Sequence, residues 1–160
     1  MPGLRDQPDV PRADWQCAEV ADLRALPGAP AEVVCEVCGE ARIRFVHVLE
    51  HEGHPESVGA CAACAEDFTG DRVNPRAVEV RVRLKSAARE EWLNERWRLS
   101  IRKNHVLQIN GHSMSVFPVK FKDGLWSARL DSTYLPGMYP TVEEALNALF
   151  DEYWKLRGER

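Results

Sequence analysis

Cys35-Glu36-Val37-Cys38-Gly39, answered 22 residues later by Cys61-Ala62-Ala63-Cys64, is the pair of segments on which the fold turns. Two thiols separated by two residues can grip one metal ion, and the glycine behind the first pair permits the tight backbone turn that such a knuckle needs. The interval slightly exceeds the usual spacing of about 15–20 residues. Residues 43–60 take up the excess as a β-hairpin that returns the second knuckle to the first. The expected cofactor is one zinc ion on Cys35, Cys38, Cys61 and Cys64, with a redox dithiol or unmetallated core cysteines as the alternatives. Four thiolates fill a tetrahedral zinc and leave no position for water or substrate, so the expected role is structural, with no catalytic residue assigned.

Outward from the cysteines, the chain of 160 residues is 44% hydrophobic, enough for one moderate core or two small ones. The region around the cysteines is poor in large apolar residues and needs a metal to fold alone, whereas the stretch after residue 100 carries most of the aromatic and aliphatic mass. The formal charge of -4 excludes a generally basic surface. Basic side chains exceed acidic ones only in residues 97–160, by nine to seven. The N-terminal residues form no apolar targeting segment, and no run approaches the length of a membrane span. These features lead us to expect a cytoplasmic protein with reduced thiols, no membrane partner and no small-molecule cofactor.

Four segments are predicted. Residues 1–30 combine a loosely attached, proline-rich start with a short helix from Asp14 to Leu26, in which Cys17 is a buried, inert thiol. Residues 31–72 form the zinc ribbon. Residues 73–98 form a connecting helix opened by Asn74 as N-cap and Pro75 at its first position, although Val78, Val80, Val82 and Leu84 also alternate as in a strand. Its apolar positions are Ala77, Val80, Leu84, Ala88 and Trp92. Residues 99–160 read as three antiparallel strands and a helix capped by Thr141 with Glu144, which lays Val142, Ala145, Leu146, Leu149, Tyr153 and Leu156 on the sheet. The expected class is α+β.

The histidines divide. His51 and His54 fall in a polar hairpin tip, whereas His47 lies among Ile43, Phe45 and Val48 and must be buried with a partner or face a functional surface. A histidine nine residues after the first knuckle, followed by a second knuckle, resembles an HNH nuclease, which implies metal-assisted phosphodiester cleavage with His47 activating water. Val46 stands where that family has Asp or His, no Asn lies between His47 and Cys64, and Ala65-Glu66-Asp67 follows the last knuckle in place of the family's His or Asn.

Trp126-Ser-Ala-Arg-Leu130, Gly137-Met-Tyr-Pro-Thr141 and Glu143-Glu-Ala145, with Ala148 beyond, resemble the DNA-binding domain of ethylene-responsive transcription factors. The whole chain is also similar to bacterial zinc-ribbon proteins with a tryptophan-rich C-terminal module. The first resemblance implies a sheet that packs one face on the helix and offers the other to DNA. With Trp126, Ala128 and Leu130 toward the helix, and Phe117, Val119 and Phe121 likewise, the outer face would carry Met114, Val116, Pro118, Lys120, Lys122 and Arg129. A basic run of Arg96, Arg98, Arg102, Lys103 and His105 adjoins it. The expected contacts to DNA or RNA are Arg102, Lys103, Lys120, Lys122 and Arg129, while the apolar outer residues suit a protein partner and an adaptor role. Trp92, Trp97, Trp126 and Trp154 are core candidates.

Overall fold

The computed structural model describes residues 3–157; the predicted segments 1–30 and 99–160 extend at their ends to residues outside the described ones. The chain has the expected mixed α+β character, with three α-helices and antiparallel sheets among the described residues. It divides into two compact units at Ser86 and Ala87. No helix among the described residues is long and apolar enough to cross a membrane.

The first unit is built on a three-stranded sheet of β1 (Gln16–Asp22), β4 (Phe45–His51) and β5 (His54–Ala60), in the order β1-β4-β5. The short β2 (Val33–Val34) and β3 (Arg42–Ile43) pair antiparallel on either side of the first knuckle. Helix α1 (Ala62–Thr69) winds out of the second knuckle and stops at Gly70, whose φ of 68° suits glycine. Val10, Trp15, Val37, Leu49, Val58 and Phe68 are the larger apolar residues of the core around the cysteines.

Two expectations fail here. The helix from Asp14 to Leu26 is instead β1 followed by a single 3-10 turn over Leu23–Ala25. Helical spacing of Trp15, Ala18, Leu23 and Leu26 is outweighed by pairing with β4, which satisfies the backbone of residues 16–22. The proline-rich start is also tied down. Leu4 and Arg5 donate their N–H groups to Glu36 and Val37 carbonyls at 2.8 and 3.0 Å, and a Cβ on Gly3 would meet the Val37 oxygen at 2.2 Å.

Helix α2 (Asn74–Leu93) is a helix, as chosen over a strand, but a different face is covered. Val80 and Leu84 are exposed, while Pro75, Ser86 and Trp92 are buried, with Glu79, Val82 and Arg89 on the same stripe. Polar partners select that stripe: Glu79 meets His47, and Ser86 donates to Asp22 at 2.6 Å. Asn74 is not the cap; the Asp71 carboxylate accepts from the Val73 and Asn74 N–H groups.

The second unit is a five-stranded antiparallel sheet under a helix. Its strands are β6 (Arg98–Leu99), β7 (His105–Ile109), β8 (His112–Pro118), β9 (Trp126–Leu130) and β10 (Thr133–Tyr134), in the order β10-β9-β8-β7-β6. The three predicted strands are the central ones, and two-residue strands close the edges. Helix α3 (Val142–Leu156) begins at Thr141, whose hydroxyl accepts the Glu144 N–H at 3.1 Å. Trp92, Met114, Val116, Ala128, Leu149, Phe150 and Trp154 fill its core, with Trp97 and Trp126 packed against it.

The predicted parity of β8 is reversed. Met114 pairs with Leu130 and Val116 with Ala128, the β9 residues that face the helix, so Met114 and Val116 are fully buried. Phe121 is 95% exposed because residues 120–124 form a turn and have left the strand. Counting alternation back from that turn shifts every side chain to the wrong face.

Candidate metal centre

Both knuckles present their sulfurs to one point. The first hangs between β2 and β3, where Cys35 N–H donates to Ala41 O at 2.7 Å, Gly39 N–H returns to Cys35 O at 2.8 Å, and Gly39 takes φ 70°. The second lies at the N-terminus of α1, with Cys61 just before the helix and Cys64 in its first turn. The β4–β5 hairpin brings the two together, and Cys61 N–H donates to Cys35 Sγ at 3.2 Å. The four sulfurs of Cys35, Cys38, Cys61 and Cys64 all lie within 4.8 Å of one another, close enough to hold a metal ion.

The electrostatics of the thiols suit an anionic cluster that wants a cation. Backbone N–H groups of Ala41 and Glu40 lower the Cys38 thiol to about 7. Burial pushes the Cys35 and Cys64 thiols up, and hydrogen bonding to Cys61 and the charge of Cys35 push Cys64 further. Bringing such sulfurs together as thiolates is costly unless positive charge is added. Arg5 supplies some: its Nη2 lies 3.7 Å from Cys64 Sγ and 2.8 Å from Asp67 Oδ2. Nothing in the sequence around Arg5 signals this placement, which follows from the anchoring of residues 3–5 on the knuckle.

The three histidines take other places. His47 is fully buried, with Nε2 at 2.7 Å from Glu79 Oε2 and Nδ1 at 3.8 Å from Cys17 Sγ. It therefore has a partner, the first of the two alternatives, and is closed to solvent water. His51 and His54 pack their rings on Trp15 at 5.2 and 5.3 Å. Cys17, expected to be a buried, inert thiol, is partly exposed on β1.

Of the five predicted nucleic-acid contacts, four lie in two turns at one end of the second unit's sheet. Arg102 and Lys103 are in the β6–β7 turn, and Lys120 and Lys122 in the β8–β9 turn. Pairing of His105 with Val116 sets these turns side by side. Arg102 and Lys120 line one groove of about 440 Å³ with Phe117, Phe121 and Met138. Arg129 stands apart on the outer face, its guanidinium over the Tyr134 ring at 5.9 Å. The register aligns it with Arg98, Val106, Ser115 and Tyr134 in one row across five strands. Arg98, counted only as part of a basic run, becomes a member of this face through β6.

No protein-family model matches the chain, and no curated protein or solved structure matches it.

Proposed function

We propose that this chain is a zinc-stabilised protein of a reducing, cytoplasmic compartment that binds nucleic acid through one end of its five-stranded sheet. Four sulfur donors suit zinc, a borderline-soft ion without redox chemistry. Zinc–sulfur bonds of about 2.3 Å set a tetrahedral edge of about 3.8 Å, which lies within the observed spread of the sulfurs. Bound there by Cys35, Cys38, Cys61 and Cys64, the ion braces a zinc ribbon and offers no open coordination position.

The observation that carries the nucleic-acid reading is the meeting of two basic turns. Arg102, Lys103, Lys120 and Lys122 stand there against a single carboxylate, Asp123, in a chain that is otherwise acidic. Phosphates are bound by such local cations, and the exposed ring of Phe121 beside them supports base stacking. Binding of the zinc-loaded full chain to labelled single-stranded and duplex DNA and RNA, compared at about 50 and 200 mM salt, tests the reading. Steep weakening with salt supports it; no binding at low salt defeats it.

A second reading, a zinc-stabilised protein adaptor, is favoured by the exposed Ile101, Phe121 and Met138 near the same groove. It takes over if nucleic acid does not bind and a protein is retained through these residues.

A further inference from the structure

Strand register assigns each residue of the second unit's sheet to a face, and α3 takes the inner one. On the outer face the charged side chains are Arg98 and Arg129. Among the described residues no carboxylate stands there, although the chain has 25 acidic side chains against 21 basic. The rings of this face lead toward the two basic turns. Tyr134, 63% exposed, meets Phe117 at 5.9 Å with the ring planes at 88°. Phe117 in turn shares the groove of about 440 Å³ with Phe121, which is 95% exposed, and with Met138. Cations accompany the rings: Arg129 lies over Tyr134 at 5.9 Å, and Arg102 and Lys120 belong to the groove lining. Asn104 and Ser127 add polar residues to that lining.

We propose that this site takes single-stranded nucleic acid, with one unpaired base entering the groove against Phe117 and Phe121, a neighbouring base on Tyr134, and phosphates on Arg102, Lys120 and Arg129. The inference rests on the nucleic-acid reading above and narrows it to strands whose bases are free. The angle between the rings carries it. Bases of a duplex lie parallel with both faces covered, so two rings at 88° cannot both lie flat against them. A single strand splays its bases and turns each to its own ring. The same cations would meet duplex phosphates, but the groove walls at Phe117, Leu135 and Met138 gain nothing from paired bases. An unpaired base covers those walls and brings its pairing edge to Asn104 and Ser127. Because every base has a π face, the site accepts DNA and RNA strands of varied sequence.

Fluorescence anisotropy of the zinc-loaded full chain tests this at about 50 mM salt, with labelled oligothymidine and oligouridine of about 12 nucleotides, a duplex of the same length, and an abasic strand of equal charge. At least one of the two single strands should bind about tenfold or more tighter than the duplex and the abasic strand. Phe121→Ala should weaken single-strand binding at least about fivefold and leave abasic binding unchanged, whereas Phe121→Tyr should stay within about twofold of the parent chain. The exposure of Phe121 keeps both variants folded. A duplex bound as tightly as the single strands overturns the proposal and leaves the broader nucleic-acid reading standing. An abasic strand bound as tightly as a base-bearing one does the same, since phosphates alone then account for binding. No binding to any of the four overturns both.

Discussion

Asp22 receives Arg44 through both carboxylate oxygens, Nε on Oδ1 at 2.7 Å and Nη2 on Oδ2 at 2.8 Å, while the Ser86 hydroxyl donates to Oδ2 at 2.6 Å. The end of β1, the strand start at Phe45 and the fourth turn of α2 are thereby joined through one buried carboxylate. Burial alone would raise it, but hydrogen bonds from Arg44, Ser86 and the Arg24 N–H hold it at about 2.

Asp22→Asn should therefore destabilise the first unit by about 2–3 kcal/mol, because the bidentate carboxylate under the Arg44 guanidinium is replaced by a neutral amide with a single acceptor oxygen. The folded value lies below the ordinary 3.8, so the carboxylate contributes its stability above about pH 4 and loses it as pH falls toward 2. Urea midpoints of the two proteins should keep a constant gap from pH 7 to 5 and converge only below about pH 4. A gap that closes between pH 7 and 5 would contradict the assignment.

Arg5→Ala should speed loss of the metal to a chelator by about tenfold, since an outer-sphere partner of Cys64 is removed while all four sulfurs remain. Gly3→Ala should act in the same direction without any change of charge, because the new methyl group has no room against Val37 O. Equal chelation rates in both variants and the parent chain would mean that the N-terminal segment does not brace the knuckle.

Protein purified without added zinc should contain about one zinc per chain. Cys38→Ser and Cys64→Ser should each lower that occupancy and unfold the first unit. Full zinc retention in both would defeat the four-cysteine assignment.

Val116→Lys should unfold the second unit, at a cost of several kcal/mol for a buried unpaired charge, whereas Phe121→Lys should change its melting by less than about 0.5 kcal/mol. The parity read from sequence alone predicts the opposite ranking. Thermal melts of the two variants separate these arrangements.

Alanine at Arg102, Lys103, Lys120 or Lys122 should each flatten the salt dependence of nucleic-acid binding by about one unit or less, with Phe121→Ala weakening affinity but leaving the slope unchanged. A variant lacking all four cations that keeps the parent slope would remove the two turns from the interface.

Cys35, Cys38, Cys61 and Cys64 were legible as one cluster because metal-ligand spacing is a local property: each pair is set by the turn between its members, and the hairpin that joins the pairs has its own signature in residues 43–60. Thr141 with Glu144 announced α3 for the same reason, since a helix cap is satisfied within one turn. Residues 16–22 misled because helical spacing and strand pairing compete, and pairing with β4 comes from residues more than twenty positions away. The parity of β8 depended on where the strand ends, which is decided by its register with β9. His47 displayed its dilemma in sequence, but its partners Glu79 and Cys17 lie 32 and 30 residues distant and met it only through packing. Local chemistry thus determined the cysteine cluster, the hairpin turns and the cap at Thr141 from sequence alone. The covered face of α2, the guard at Arg5 and the line from Cys17 through His47 to Glu79 were decided by tertiary structure, because a buried polar group is placed by its partner and not by its neighbours in the chain.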